Sequence, residues 1–169
     1  IQLVLIEEVN GQKQGGVVDL PGVKLLTGVM RGRFNPSDGH LYACGLSAWG
    51  TSQVMRGGDF LRLRYTDKPL SIPVQLHAEE DGVKLTFASE LEVENARDPG
   101  NYEVQSWGIL RSHKYGSKRY NTQTLKLDGI KLSPDKKTVK LMLPGIRTVD
   151  VMTISYRLKD SKDNNFSGK

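Results

Sequence analysis

Turn signals punctuate this chain so densely that most of it has room only for strands. Asn10-Gly11, Pro21-Gly22, Asn35-Pro36-Ser37-Asp38-Gly39, Asp67-Lys68-Pro69, Glu80-Asp81-Gly82, Asp98-Pro99-Gly100, Ser133-Pro134-Asp135-Lys136 and Pro144-Gly145 mark the ends of its segments. Their residues preset φ, tolerate φ > 0 or bond back to their own backbone. Between them the runs are short, and apolar residues alternate with polar ones, the two-residue period of a half-buried strand. An all-β chain is expected, with 18 glycines and 7 prolines serving as punctuation.

The stretch Arg31–Gly50 organises the first part. It reads as strand, tight turn, the apolar run Leu41–Leu46 and a glycine-rich exit. Residues 1–8, 15–20, 29–34 and 41–46 are expected to be four antiparallel strands of one blade-sized sheet. Residues 47–58 read as a long loop and 59–66 as a further alternating strand. The one cysteine, Cys44, is expected to be a small buried hydrophobe, inert to thiol reagents.

A domain boundary falls at Asp67-Lys68-Pro69, separating residues 1–66 from 67–169. Beyond it, strands are expected over 74–78, 83–87, 102–110, 125–132, 138–143 and 149–156, with Val83, Leu85 and Phe87 facing inward. A two-turn helix over 90–97, capped by Ser89 and stopped by Asp98-Pro99-Gly100, interrupts them. Strands at this spacing suit an immunoglobulin-like β-sandwich. The opening Ile1–Ile6 reads as mid-strand sequence, expected to pair with Gly16–Leu20, and the chain as a piece of something longer.

Hydrophobic content of 37% and charged content of 25% exclude a disordered chain. No apolar run reaches the roughly 20 residues of a membrane-spanning helix. The net charge is +5, but the basic residues are scattered among 19 acids, so no nucleic-acid partner is expected.

His40, His77 and His113 share no metal-ligand spacing with one another or with Cys44, and no nucleophile-elbow sequence is present. No catalytic residue, metal ligand or cofactor is therefore assigned. Asp160–Asn165 resembles part of a calcium loop but lacks its glycine and terminal glutamate, and reads as a frayed turn.

The candidate binding segment runs from Trp107 to Tyr120. Arg111, His113, Lys114, Tyr115, Lys118 and Arg119 lie within it, with no acid among them. Two readings stand side by side. Aromatic rings beside cations suit an acidic glycan or an acidic protein face. Alternatively, Trp107 and Tyr120 pack between sheets and the cations are solvated. Trp49 in the glycine-rich stretch carries the same ambiguity.

Two groups of segments resemble a known family. Gly28–Leu46, with Trp49 and Phe60–Tyr65, resembles the end of a β-propeller in large exported proteins of planctomycete and verrucomicrobial type. These are sorbosone- or glucose-dehydrogenase-like proteins that often carry a c-type haem domain elsewhere. Val83–Leu91, Asp98–Val104 and Leu132–Leu141 resemble the bacterial Ig-like domain that follows the propeller. The resemblance implies a periplasmic or extracellular interaction module, docked on a protein partner or on the rest of a longer polypeptide. A carbohydrate-binding module is the rival reading, as is the tail of a quinoprotein-type dehydrogenase whose active site lies outside these residues. No haem-attachment sequence occurs here.

Overall fold

The computed structural model describes residues 1–23, 25–47 and 57–169. Strands take up 53% of the chain and helix 5%, which makes the protein all-β, and every sheet is antiparallel. Two compact units are present, Ile1–Leu20 with Pro69–Lys169, and Pro21–Lys68.

In the larger unit, β1 (Gln2–Val9) and β2 (Gln12–Asp19) form a hairpin. Asn10 and Gly11 both take positive φ at its turn, as the two central residues of a primed turn must. The pairing expected for Ile1–Ile6 is found: Gln2 lies opposite Asp19 and Ile6 opposite Gly15. Leu5 and Val18 point inward onto Ile72, whereas Val4, Ile6 and Val17 remain exposed.

The smaller unit is a three-stranded sheet of β3 (Gly28–Phe34), β4 (Leu41–Leu46) and β5 (Gly58–Leu63), in the order β3-β4-β5. The four strands expected to share one blade therefore do not share a sheet. The apolar face of β1–β2 is used on Ile72 and Leu76 instead, and among the described residues no sheet closes on itself.

Cys44 also departs from expectation. Strand alternation turns Ala43 inward, at 2% exposure, and so turns Cys44 outward, where it is exposed. An apolar run buried on one face only cannot hide both neighbours. Trp49 lies outside the described residues.

The rest of the larger unit contains two four-stranded sheets. Its strands are β6 (Pro73–Glu79), β7 (Gly82–Phe87), β8 (Tyr102–Gly108), β9 (Tyr120–Leu125), β10 (Gly129–Leu132), β11 (Thr138–Met142), β12 (Val151–Lys159) and β13 (Asn165–Gly168). Their orders are β10-β11-β7-β6 and β13-β12-β8-β9. Val83, Leu85 and Phe87 are buried as expected, against Val104, Val139, Leu141, Tyr156 and Leu158. The segment expected as one strand over 125–132 divides, because Leu125 ends β9 in one sheet and Gly129 begins β10 in the other.

The helix is shorter than the sequence suggests. α1 spans Val93–Arg97, and Glu92, not Ser89, caps it by accepting from the N–H groups of Glu94 and Asn95. Leu91 cannot be helical, because it bridges to Asp160 and donates to the Lys136 carbonyl. Ser89 bonds to the Leu70 carbonyl.

The Asp160 turn is not frayed. Its carboxylate accepts from the backbone of Lys162 and Asn164 and from the Asn164 side chain, and β13 follows. Asp98-Pro99-Gly100 ends the helix as expected, in a short 3-10 turn over Pro99–Asn101.

Two outcomes test this packing. In the native protein Cys44 is expected to be alkylated by iodoacetamide without prior unfolding, and resistance until denaturation would contradict its outward placement. Gly82 faces Met142, and a Cβ there would lie 2.1 Å from the Leu141 carbonyl oxygen. Gly82→Ala is expected to lower stability by about 2–4 kcal/mol, read from urea unfolding.

Candidate functional site

In the larger unit β12 is paired on one side over only part of its length. β8 accompanies β12 from Val151 to Tyr156, but β13 accompanies it only from Tyr156 to Lys159. From Val151 to Ser155 the other edge of β12 has no strand beside it among the described residues. A cleft of about 1310 Å³ opens there, and Leu5, Val18 and Leu76 are among its other lining residues.

All six residues from Val151 to Tyr156 line the cleft. Successive side chains in a strand point to opposite faces, so a surface touching all six runs along the strand's edge. Met152 and Ile154 reach the core only in part and leave an apolar floor. The outward N–H and C=O groups of this half-strand have no ladder partner, the arrangement that folded proteins normally cover or charge.

The opposite free edge, that of β6, is managed in that way. Glu7 on β1 accepts from the Ala78 N–H at 3.2 Å and pairs with the His77 ring. Partial burial works to raise the Glu7 carboxyl. Hydrogen bonds from His77, Gln14 and Ala78 outweigh it and hold the group below the usual glutamate range.

Glu79, also on the cleft lining, sits in a cluster with Lys84, Lys140 and Asp81. Lys140 lies 2.8 Å from Glu79 and bonds both Asp81 oxygens, at 2.7 and 2.9 Å. The hydrogen bonds from Lys140, then Lys84, bring the Glu79 carboxyl down to about 2.

The Trp107–Tyr120 segment connects β8 to β9. Trp107 is 8% exposed, and the Arg119 guanidinium carbon lies 4.0 Å from its ring centroid. These two are brought together. Arg111, His113, Lys114, Tyr115 and Lys118 are exposed, and Tyr120 is half-exposed at the start of β9. The sequence segment has no acid, yet Asp150 folds against its base and accepts from the Ile109 N–H at 2.8 Å. Ser117 holds the loop by accepting from the Leu110 N–H.

His40 lies beside Asp38 and His77 beside Glu7. Neither ring is hydrogen-bonded to a hydroxyl or thiol among the described residues. No group of three or more His, Cys, Asp or Glu is placed to hold a metal ion among those residues. Among the described residues no helix is long and apolar enough to cross a membrane.

The cleft is absent from the sequence reading because Leu5, Leu76 and Ile154 are far apart in the chain. One signal was available: Val151–Tyr156 carries no charge over six consecutive residues, which is unusual for a strand edge left open.

No protein-family model, curated protein or solved structure matches the chain. The fold and the site together define an all-β protein of antiparallel sheets in which, among the described residues, an incompletely paired strand borders a cleft of mixed apolar and polar lining.

Glu79 generates a pH expectation. Its folded value is depressed, so its stabilising contribution is fully present above the usual 4.5 and lost as pH falls through about 2. Carbon-detected NMR of the Glu79 carboxyl is expected to titrate near that lower value. A midpoint at the ordinary glutamate position would show that the lysine cluster does not form in solution.

Proposed function

We propose that this chain is a non-catalytic docking module: an immunoglobulin-like sandwich that takes an extended strand along β12, from a protein partner or from the rest of a longer polypeptide. The edge from Val151 to Ser155, unpaired among the described residues and opening on the cleft, carries this reading.

The strand order supports the immunoglobulin-like assignment. Lettering β6 to β13 as A, B, C, C′, D, E, F and G turns the two sheets into D-E-B-A and G-F-C-C′. Those are the neighbours of an immunoglobulin sandwich that has gained a C′ strand. β13 sets Gly168 opposite Tyr156, so a strand continuing in the same direction lies beside F from Ser155 to Val151.

An incoming strand at that position satisfies the free backbone groups and inserts alternate side chains into the cleft, the mode of β-strand addition. Each well-buried aliphatic side chain contributes up to about 1.5–3 kcal/mol. Ordering the incoming segment offsets much of this. A partner of this kind needs a backbone that donates and accepts regularly, which a peptide has and a sugar chain does not.

The test uses synthetic seven-residue peptides with Val or Ile at alternate positions, and matched peptides with Pro at the intervening ones. The first set is expected to bind in the micromolar range and to slow amide hydrogen exchange across Val151–Ser155. The proline set, lacking N–H donors, is expected not to bind. Protection confined to other strands, or equal binding by both sets, would refute the reading.

A further inference from the structure

We infer that the exposed face of β3-β4-β5 binds a sulfated polysaccharide through Arg31, Arg33 and Arg62, with Phe60 as its apolar contact.

The cross-strand register gathers these residues. Arg33 lies opposite Tyr42, which lies opposite Arg62, and Arg31 lies opposite Cys44, which lies opposite Phe60. Directly opposed residues share a face, and so do residues two apart along a strand. The six therefore form one grid of two rows. Burial agrees, since Arg31, Arg33, Cys44, Phe60 and Arg62 are all exposed, whereas Ala43 on the other face is buried.

The charge on this face is uncompensated. Arg31 and Arg33 each donate to the carbonyl just before them, and among the described residues none of the three guanidiniums is paired with a carboxylate. Alternation puts Asp59 on the opposite face from Phe60. Asp38 lies in the turn before β4, engaged by the Tyr42 hydroxyl at 2.8 Å and the His40 N–H at 2.9 Å. An anion arriving here meets cations spaced by strand geometry, about 7 Å apart along β3 and about 10 Å apart across the sheet.

The apolar element narrows the ligand. Phe60 is 70% exposed and stacks on Tyr42, with ring centroids 5.8 Å apart and planes at 26°. One free ring supports one sugar face. It does not provide the series of platforms on which successive bases of a single-stranded nucleic acid stack. Among the described residues the face holds no carboxylate or amide to accept from sugar hydroxyls, so recognition falls on the ligand's anionic groups. Sulfate esters, which substitute several positions of a sugar ring, reach both the shorter and the longer guanidinium spacing. A uronate has one carboxylate fixed on each ring.

The test uses the whole chain with dextran sulfate as probe, at low and high salt. Wild type is expected to bind dextran sulfate and not neutral dextran, more weakly at high salt. The triple variant Arg31→Ala, Arg33→Ala, Arg62→Ala is expected to bind at least about tenfold more weakly, with a flatter salt dependence. Phe60→Ala is expected to weaken binding about threefold and leave the salt dependence unchanged. Bound dextran sulfate is expected to slow iodoacetamide labelling of Cys44, which sits inside the grid. A control triple of exposed lysines, Lys126→Ala, Lys131→Ala, Lys162→Ala, removes the same charge elsewhere and is expected to bind as wild type does. Equal weakening in the control would reduce the effect to net charge and overturn the proposal. So would undiminished Cys44 labelling, or affinity for polyglucuronate or single-stranded poly(dT) equal to that for dextran sulfate.

Discussion

The two four-stranded sheets are held face to face by an apolar seam whose centre is Phe87. Its ring meets Tyr156 edge-on at a centroid distance of 5.4 Å and Phe166 at 5.9 Å, and those two meet each other at 6.0 Å. Three strands, β7, β12 and β13, therefore converge on one aromatic cluster. Around it Val139, Leu141 and Leu143 are wholly buried. Burying each such side chain contributes about 1.5–3 kcal/mol, an upper figure because the unfolded chain already hides some of that surface. Phe166 gives the short β13 a purpose, since this one ring secures an otherwise polar final strand.

Polar bonds then fasten one half of β12 far more firmly than the other. The Asn95 side chain accepts from the Lys159 N–H at 2.8 Å, the Glu92 N–H donates to the Lys159 carbonyl, and Ser161 donates to Glu90. The buried Tyr102 hydroxyl donates to the Ala96 carbonyl, tying α1 to β8, and burial pushes that hydroxyl's pKa up. These bonds gather at the end of β12 that β13 accompanies. Among the described residues the half from Val151 to Ser155 has no equivalent, so the two ends of the same strand are held very differently.

Local chemistry made much of the architecture legible. Leu41–Leu46 was bounded correctly because an apolar run between turn residues leaves little choice. Asn10-Gly11 gave the first hairpin, since few other pairs tolerate two positive φ values. What was not legible depended on distant partners. Whether Ala43 or Cys44 turned inward follows from the sheet's covered face and not from the run itself. The split between β9 and β10 depends on which sheet each half joins, and Leu125-Lys126-Leu127 alternates smoothly across it. β13 has a single apolar anchor, too little for a periodic signal. Of the candidate segment, the meeting of Trp107 with Arg119 was within reach of sequence. The cleft beside β12 was not, because its walls come from both ends of the chain.

The Ile1–Leu20 hairpin belongs to a unit that resumes only at Pro69. During synthesis it leaves the ribosome well before residues 69–169, yet the surface for Leu5 and Val18 arrives with Ile72 and Leu76, and the partner of Glu7 with His77. A two-stranded hairpin alone is marginal in water. Its apolar strip must therefore wait, exposed, while the intervening segment is made. The closing contact spans a long stretch of sequence, and such contacts form slowly. The newborn chain is thus prone to wrong strand pairing in the interval before this hairpin has anything to rest on.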